Sequence, residues 1–147
     1  MDSNKKLTVL QNTYAASIAE AVNNYDRLKA LGNIVEARKE LQAQRAPYLN
    51  QQLGITCVED VFERLSEIYG CANWTLEKTG AQYVATATLC KLCALSKKMG
   101  GANACYGWCL DPMKAMLAAL EGTEIERISV ESTLMDNDCC KVLIRVR

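Results

Sequence analysis

The chain has 147 residues, half of them hydrophobic, and its 17 basic side chains are balanced by 17 acidic ones. This composition excludes a disordered chain, and the zero net charge argues against a nucleic-acid partner held through phosphate contacts. The eight cysteines are accompanied by no histidine, which excludes Ser-His-Asp catalysis, histidine-ligated haem and Cys₂His₂ zinc sites. Any metal site or acid–base chemistry must use cysteine, carboxylate, lysine, tyrosine or backbone groups.

The N-terminal segment lacks the apolar core of a signal peptide. Residues 1–6 are mostly polar, the apolar run that follows is short, and no segment approaches the roughly 18 apolar residues of a membrane span. We therefore expect a cytoplasmic protein without a membrane partner, in which thiols stay reduced. The cysteines are then expected to serve metal binding, redox chemistry or packing rather than disulfide bonds.

The first seventy residues have helical patterns. Apolar residues recur at three- and four-residue spacing through residues 7–28, which predicts one long helix. A second helix is predicted from Ile34 to about Leu53, with Pro47 expected to kink or end it. A third is predicted between Val58 and Gly70. Core packing is the favoured explanation of the first apolar stripe, and a homodimer interface is the alternative. The stripe consists of Leu7, Leu10, Tyr14, Ile18, Val22, Tyr25 and Leu28.

The second half mixes strand and helix patterns. The predicted elements are a β-hairpin around residues 78–80, a helix over 89–99, a helix from 111, and strands over 125–133 and 142–146. Asp111 is expected to cap the second of these helices, with Pro112 at its first position. We therefore predict a single α+β domain over residues 1–147, with a helical part over 1–70 packed with an antiparallel sheet of about four strands.

Four cysteines of the second half have the spacing Cys-x₂-Cys-x₁₁-Cys-x₃-Cys; they are Cys90, Cys93, Cys105 and Cys109. Two short pairs separated by a connecting stretch are typical of a Cys₄ metal site. A reactive thiolate at Cys109 or Cys93 is a second interpretation, because nearby lysines and a helix N-terminus lower a thiol pKa. Cysteines that serve only as small apolar core residues are the third, and this one is favoured for Cys57 and Cys71.

Two carboxylates are candidates for chemistry beside these thiols. Asp111 lies two residues from Cys109 and is either a metal ligand or general base, or the helix cap. Glu131 points away from Val130 on its predicted strand and faces either solvent or a pocket. The aromatic neighbours of Cys109, Tyr106 and Trp108, line an apolar pocket or belong to the core. The sequence has no phosphate loop or dinucleotide fingerprint, so no nucleotide cofactor is expected.

The order of these features resembles that of the L-2-amino-thiazoline-4-carboxylic acid hydrolase family and of the related 4-vinyl reductase domains. A Cys-x-Asp at residues 109–111 opens a helix, a strand with Glu131 follows, and an acidic turn leads into the last strand. The resemblance covers roughly residues 74–147 and aligns Cys140 with the turn cysteine of the family. The family's turn glycine and aspartate are replaced by Asp136 and Asn137, and the aromatic that follows the cysteine is replaced by Val142. Its upstream cysteine is matched by Cys90 or Cys93.

The resemblance implies an α/β ligand-binding domain, often dimeric, with cysteines near a small-molecule or metal site. Cys139 and Cys140 face opposite sides of a regular strand, so only one of them joins such a site, and the alignment favours Cys140. We therefore expect a small-molecule ligand or a divalent metal such as zinc, and a possible homodimer. The predicted metal ligands are Cys90, Cys93, Cys105, Cys109 and Cys140.

Two other functions remain open at this stage. One is a hydrolase that opens a carbon–nitrogen bond in a thiazoline or cyclic amide-like substrate, with Cys109, Asp111 and Glu131 as its catalytic residues. There a cysteine-bound metal acts as Lewis acid while Asp111 or Glu131 positions the water. The other is a non-catalytic, helix-mediated interaction protein in which the cysteines are structural.

Overall fold

The structure is a computed structural model that describes residues 1–147, and it opens with three helices. They are α1 (Ser3–Arg27), α2 (Leu31–Leu53) and α3 (Val58–Arg64). A π-helical turn, Leu65–Tyr69, continues α3 without a break. Gly70 ends this segment at φ +64°, a left-handed conformation that glycine adopts without steric cost.

The second half carries four strands and two further helices. In chain order they are β1 (Thr75–Thr79), β2 (Gln82–Ala87), α4 (Lys91–Lys98), α5 (Asp111–Ala118), β3 (Ile125–Ser132) and β4 (Cys140–Val146). A second π-helical turn, Tyr106–Leu110, runs directly into α5. The strands form one antiparallel sheet in the order β1-β2-β4-β3. The predicted α+β class is confirmed.

The main core lies between one face of the sheet and helices α3 and α5. Alternate residues of β2 and β4, such as Ala85, Val142 and Ile144, are fully buried and pack against Met113 and Leu117 of α5. A separate apolar cluster joins α1 to α4 through Val22 and Leu92. Cys93, Cys105 and Cys140 belong to the main core, and Cys90 packs against both clusters.

The apolar stripe of α1 is only partly used for packing. Ile18 and Val22 are buried against α4, but Leu7 is 42% exposed and Leu10 is 66% exposed. Core packing therefore explains the middle of the stripe, Ile18 and Val22, but neither its N-terminal part nor Leu28, which is 76% exposed. Although α1 is the longest helix, neither it nor any other helix combines the length and apolar character needed to cross a membrane.

Pro47, expected to kink or end α2, does not end it, and the helix continues to the predicted boundary at Leu53. The expectation for Asp111 was wrong. Asp111 is not an N-cap, because the chain is already helical before it: Leu110 has helical dihedral angles and Asp111 is the first residue of α5. The peptide N–H of Asp111 bonds the carbonyl of Tyr106 five residues earlier, so α5 grows out of the π-helical turn and needs no side-chain cap.

Candidate functional site

Five cysteines from three parts of the chain surround one small apolar cavity of about 10 Å³, which leaves room for about one water. They are Cys90, Cys93, Cys105, Cys109 and Cys140. Trp74, Leu92 and Leu134 complete much of the wall. We call this group the cysteine cluster. The structure thus brings together all five residues that the sequence proposed as metal ligands.

The backbone explains why these thiols meet. Cys90 occupies the N-cap of α4, where its sulfur accepts the peptide N–H of Cys93 at 3.4 Å. Cys140 begins β4 and pairs with Ala87, the last residue of β2, three residues before Cys90. The sulfurs of Cys93 and Cys105 are 3.2 Å apart. All eight cysteines are free thiols.

The neighbouring Cys139 does not join the cluster. The Ser132 hydroxyl lies 3.7 Å from its sulfur and donates to its carbonyl at 2.8 Å, on the side toward β3. Cys139 lies in the turn just before β4 begins at Cys140, so its thiol stays near β3 while that of Cys140 lines the cavity. Cys140 shares the buried face of Val142 and Ile144, so the cavity lies at the edge of the main core.

The cluster contains thiols of opposite acidity. A hydrogen bond from the Cys93 thiol, helped by peptide N–H groups of α4, lowers the pKa of Cys90 to about 6. Interaction with the sulfurs of Cys105 and Cys90 raises the pKa of Cys93, while the contact between Cys93 and Cys105 lowers the pKa of Cys105. Burial raises the pKa of Cys109 well above its usual value. The most acidic thiol is therefore Cys90, and not the Cys93 or Cys109 expected from sequence.

A larger open pocket of about 240 Å³ adjoins the cluster, and twelve of its sixteen lining residues are hydrophobic. Helices α1 and α2 contribute Tyr14 and Leu49, and α5 contributes Met116. The pocket and the cysteine cavity share four residues of their walls: Ala72, Trp74, Leu92 and Cys109. The cysteine cavity therefore adjoins the pocket, and Cys109 lines both of them.

Both π-helical turns of the chain line this pocket. The first supplies Leu65 and Tyr69, and the second supplies Trp108 and Cys109. In the second turn the carbonyl of Gly107 has no helical partner, because the residue five positions later is Pro112, which has no N–H. Instead, two side chains of α2, Arg38 and Gln42, donate hydrogen bonds to this carbonyl.

The polar side chains of the pocket come from one face of α2. Arg38 donates through Nε to the Gly107 carbonyl at 3.1 Å, and Gln42 donates through Nε2 to the same oxygen at 2.8 Å. Arg45 lies one further turn along α2 and also lines the pocket. No acidic side chain lines it. The pocket is therefore apolar, with positive charge at one wall.

An aromatic stack holds this wall in place. The guanidinium of Arg38 lies over the ring of Trp108, 4.6 Å from its centroid. On its other side Trp108 stacks on Tyr25 of α1, with centroids 6.2 Å apart and planes 18° apart. Elsewhere in the pocket wall, the ring centroids of Tyr14 and Tyr69 lie 5.6 Å apart. Burial raises the pKa of Tyr14 to about 12, so its phenol stays neutral at physiological pH.

The two predicted carboxylates lie elsewhere. Asp111 is 8% exposed and packs toward Lys39 of α2, away from both cavities. Burial raises its pKa, and one of its oxygens has no hydrogen-bond partner. Glu131 is exposed on β3, where its carboxylate accepts from Ser129 at 2.9 Å in a shallow groove beside Arg127. Of the three predicted catalytic residues, Cys109 alone lines the pocket.

Sequence reasoning missed the part of the site that α2 provides. Arg38, Gln42 and Arg45 follow one another at four- and three-residue spacing, which marks one helical face, but such a face is usually solvated. The two aromatic neighbours of Cys109 have different positions. Trp108 lines the pocket, whereas Tyr106 is 41% exposed and lines neither cavity.

The cluster does not contain three ligands already placed around a common metal position. A scan of the chain against protein-family models finds no match, and a search of curated proteins finds no significant one.

Proposed function

We propose that the protein binds a small organic molecule in the pocket between α1, α2 and the cysteine cluster. The observation that carries this proposal is the convergence of both π-helical turns on one pocket. Such turns are rare, their hydrogen bonds are less favourable than those of an α-helix, and they occur frequently at functional sites. Here they aim Tyr69, Trp108 and Cys109 into the same space.

The composition of the wall supports this proposal. Small-molecule sites are mostly apolar, with a few polar groups that fix the orientation of the ligand. The pocket has this character, since apolar and aromatic side chains surround the α2 face with its arginines and glutamine. A ligand-binding domain is also what the resemblance of residues 74–147 implies. We place it in the cytoplasm, a proposal supported by its eight unpaired thiols.

The test uses the neutral apolar fluorophore N-phenyl-1-naphthylamine. Both tryptophans of the chain, Trp74 and Trp108, line the pocket, so energy transfer from tryptophan to the probe reports binding there. We expect saturable binding that Trp108→Ala weakens about tenfold or more, in line with losing a central aromatic contact. Tyr106→Ala, a neighbouring aromatic outside the pocket, is the matched control. Absence of saturable binding, or equal binding by both variants, would contradict the proposal.

The cysteine cluster supports a second candidate function, the binding of a thiophilic metal ion. Five thiols face one cavity, and those of Cys93 and Cys105 are in contact. Tetrahedral zinc–thiolate sites, with Zn–S near 2.3 Å, keep sulfurs about 3.8 Å apart, so side-chain rotation must accompany binding. A divalent ion would then bind through deprotonated thiolates.

Titration with Cd²⁺ under reducing conditions tests this candidate through its thiolate charge-transfer absorbance. One ion per chain is expected, lost in Cys93→Ser and Cys109→Ser and retained in Cys57→Ser, whose sulfur lies outside the cluster. Unchanged stoichiometry in the Cys93 or Cys109 variant would reject the proposed ligands. A ring-opening hydrolase is the remaining alternative for the pocket, supported by Cys109 alone among its predicted residues. Undiminished turnover in Cys109→Ala would reject it.

A further inference from the structure

We propose that the ligand of this pocket is a small planar organic anion, a one- or two-ring carboxylate. The inference rests on the proposed function and specifies the chemical class of its ligand. It is carried by two side chains of α2, Arg38 and Arg45, which line the pocket and make no ion pair within the protein.

The first step concerns charge. Arg38 and Arg45 both line the pocket, and the ion pairs of the structure all involve other residues. Two arginines therefore border a largely apolar pocket that no carboxylate side chain lines. Electrostatic attraction between charges increases where apolar walls exclude water. The complementary ligand brings its own negative charge.

The second step concerns preorganisation. The Nε of Arg38 is committed to the Gly107 carbonyl, and its plane is held against Trp108. Its terminal nitrogens have no hydrogen-bond partner in the protein, which leaves the two-pronged edge that pairs with a carboxylate. Because the group is already ordered, binding costs less side-chain entropy than ordering a free arginine would. The aromatic rings of Tyr14, Tyr69 and Trp74 also line the pocket and favour a planar ligand body.

Matched probe pairs test the charge. Indole-3-acetate is compared with its neutral alcohol, indole-3-ethanol, and 3-hydroxybenzoate with 3-hydroxybenzyl alcohol, by isothermal titration calorimetry. We expect at least one acid to bind about tenfold or more tightly than its alcohol, the range of a charge-assisted hydrogen bond. Raising the salt concentration should reduce this preference.

Variants then locate the preference. Arg38→Gln should reduce acid binding about tenfold, and the more exposed Arg45→Gln about threefold, with little change for the alcohols. Arg45 makes no ion pair within the protein, so its variant tests the charge without disturbing the fold. Arg127→Gln, in the groove of the sheet, is the control and should leave both affinities unchanged.

The outcomes separate this inference from the proposed function. Equal affinity for acid and alcohol in both pairs, or arginine variants that weaken both members of a pair equally, would overturn the anionic ligand while leaving a binding pocket. Failure of all four probes and of the neutral fluorophore to bind would overturn both. Acid-selective binding that both arginine variants reduce supports both.

Discussion

Asn23 connects α1 to the two segments that carry Cys93 and Cys105, and its replacement should loosen both. Its Nδ2 donates to the Ser96 carbonyl and hydroxyl on α4, each at 3.2 Å, and to the Ala19 carbonyl at 2.7 Å. Its Oδ1 accepts the peptide N–H of Ala102 at 3.0 Å. We therefore predict that Asn23→Ala destabilises the fold and exposes the cysteine cluster.

The size of the stability loss in Asn23→Ala follows from the polar groups that lose their hydrogen-bond partner. Ala102 is 6% exposed and Ser96 is fully buried, so their polar groups have little access to water once the amide is gone. One buried unsatisfied group costs about 1–3 kcal/mol. With the Ala102 N–H orphaned and the Ser96 groups losing a donor, we expect a loss of about 3 kcal/mol. This is a substantial share of the about 5–15 kcal/mol by which a domain is stable.

Urea denaturation followed by circular dichroism measures this loss under reducing conditions. Asn24→Ala is the matched control, because Asn24 is the adjacent residue of α1 and its side chain contacts Arg27 alone among hydrogen-bond partners. The control should cost less than about 1 kcal/mol. Alkylation of Cys93 and Cys105 in the native state should accelerate in Asn23→Ala only. Equal stabilities of the two variants would refute the bridging role of Asn23.

Three further predictions concern backbone strain and titration. Gly70→Ala should destabilise the fold by about 1–2 kcal/mol more than Gly54→Ala does. Both glycines have positive φ, so both substitutions strain the backbone. A Cβ at Gly70 also meets the Gln11 amide that caps the π-helical turn, whereas a Cβ at Gly54 enters open space. Asp111→Asn should increase stability at pH 7, because burial raises the folded-state pKa of this acid and stability is lost as pH rises through that pKa. Cys90 has the opposite effect on the pH dependence of stability. Its pKa is lowered to about 6, so the free energy of unfolding rises between about pH 6 and 9.

The same denaturation assay checks all three. For the glycines, equal losses would show that backbone strain alone matters and that the Gln11 contact does not. For Asp111, a variant less stable than wild type at pH 7 would contradict the role of burial. Cys90→Ala should flatten the rise by up to about 1.4 kcal/mol for each unit of pKa shift. A slope unchanged in that variant would assign the rise to another group.

The helices and strands were largely predictable because their signals are local. The hairpin of β1 and β2 was evident from β-branched and aromatic residues around Gly80, and α4 from an apolar run stopped by two glycines. The meeting of Cys90 with Cys140 depends on the pairing of β2 with β4, which are more than fifty residues apart. Spacing suggested the cluster, but the pairing of distant strands builds it.

The pocket was not predictable in the same way. A π-helical turn differs from an α-helical one by a single residue per turn, and no residue type specifies it. Pro112 suggested a helix start, but it marks instead the point where a continuing helix cannot bond the Gly107 carbonyl. Arg38 and Gln42 of α2 donate hydrogen bonds to this carbonyl in place of a helical N–H. Only the tertiary arrangement shows that α2 faces this carbonyl.

The shared wall between the pocket and the cysteine cluster links two equilibria. Cys109, with Ala72, Trp74 and Leu92, belongs to both spaces, so any change in the thiols that moves this wall also changes the fit of a ligand. Thermodynamic reciprocity then requires that ligand binding shift the state of the thiols by the same free energy. If the pocket binds the proposed ligand and the cluster the proposed metal ion, this shared wall gives each a means to regulate the other.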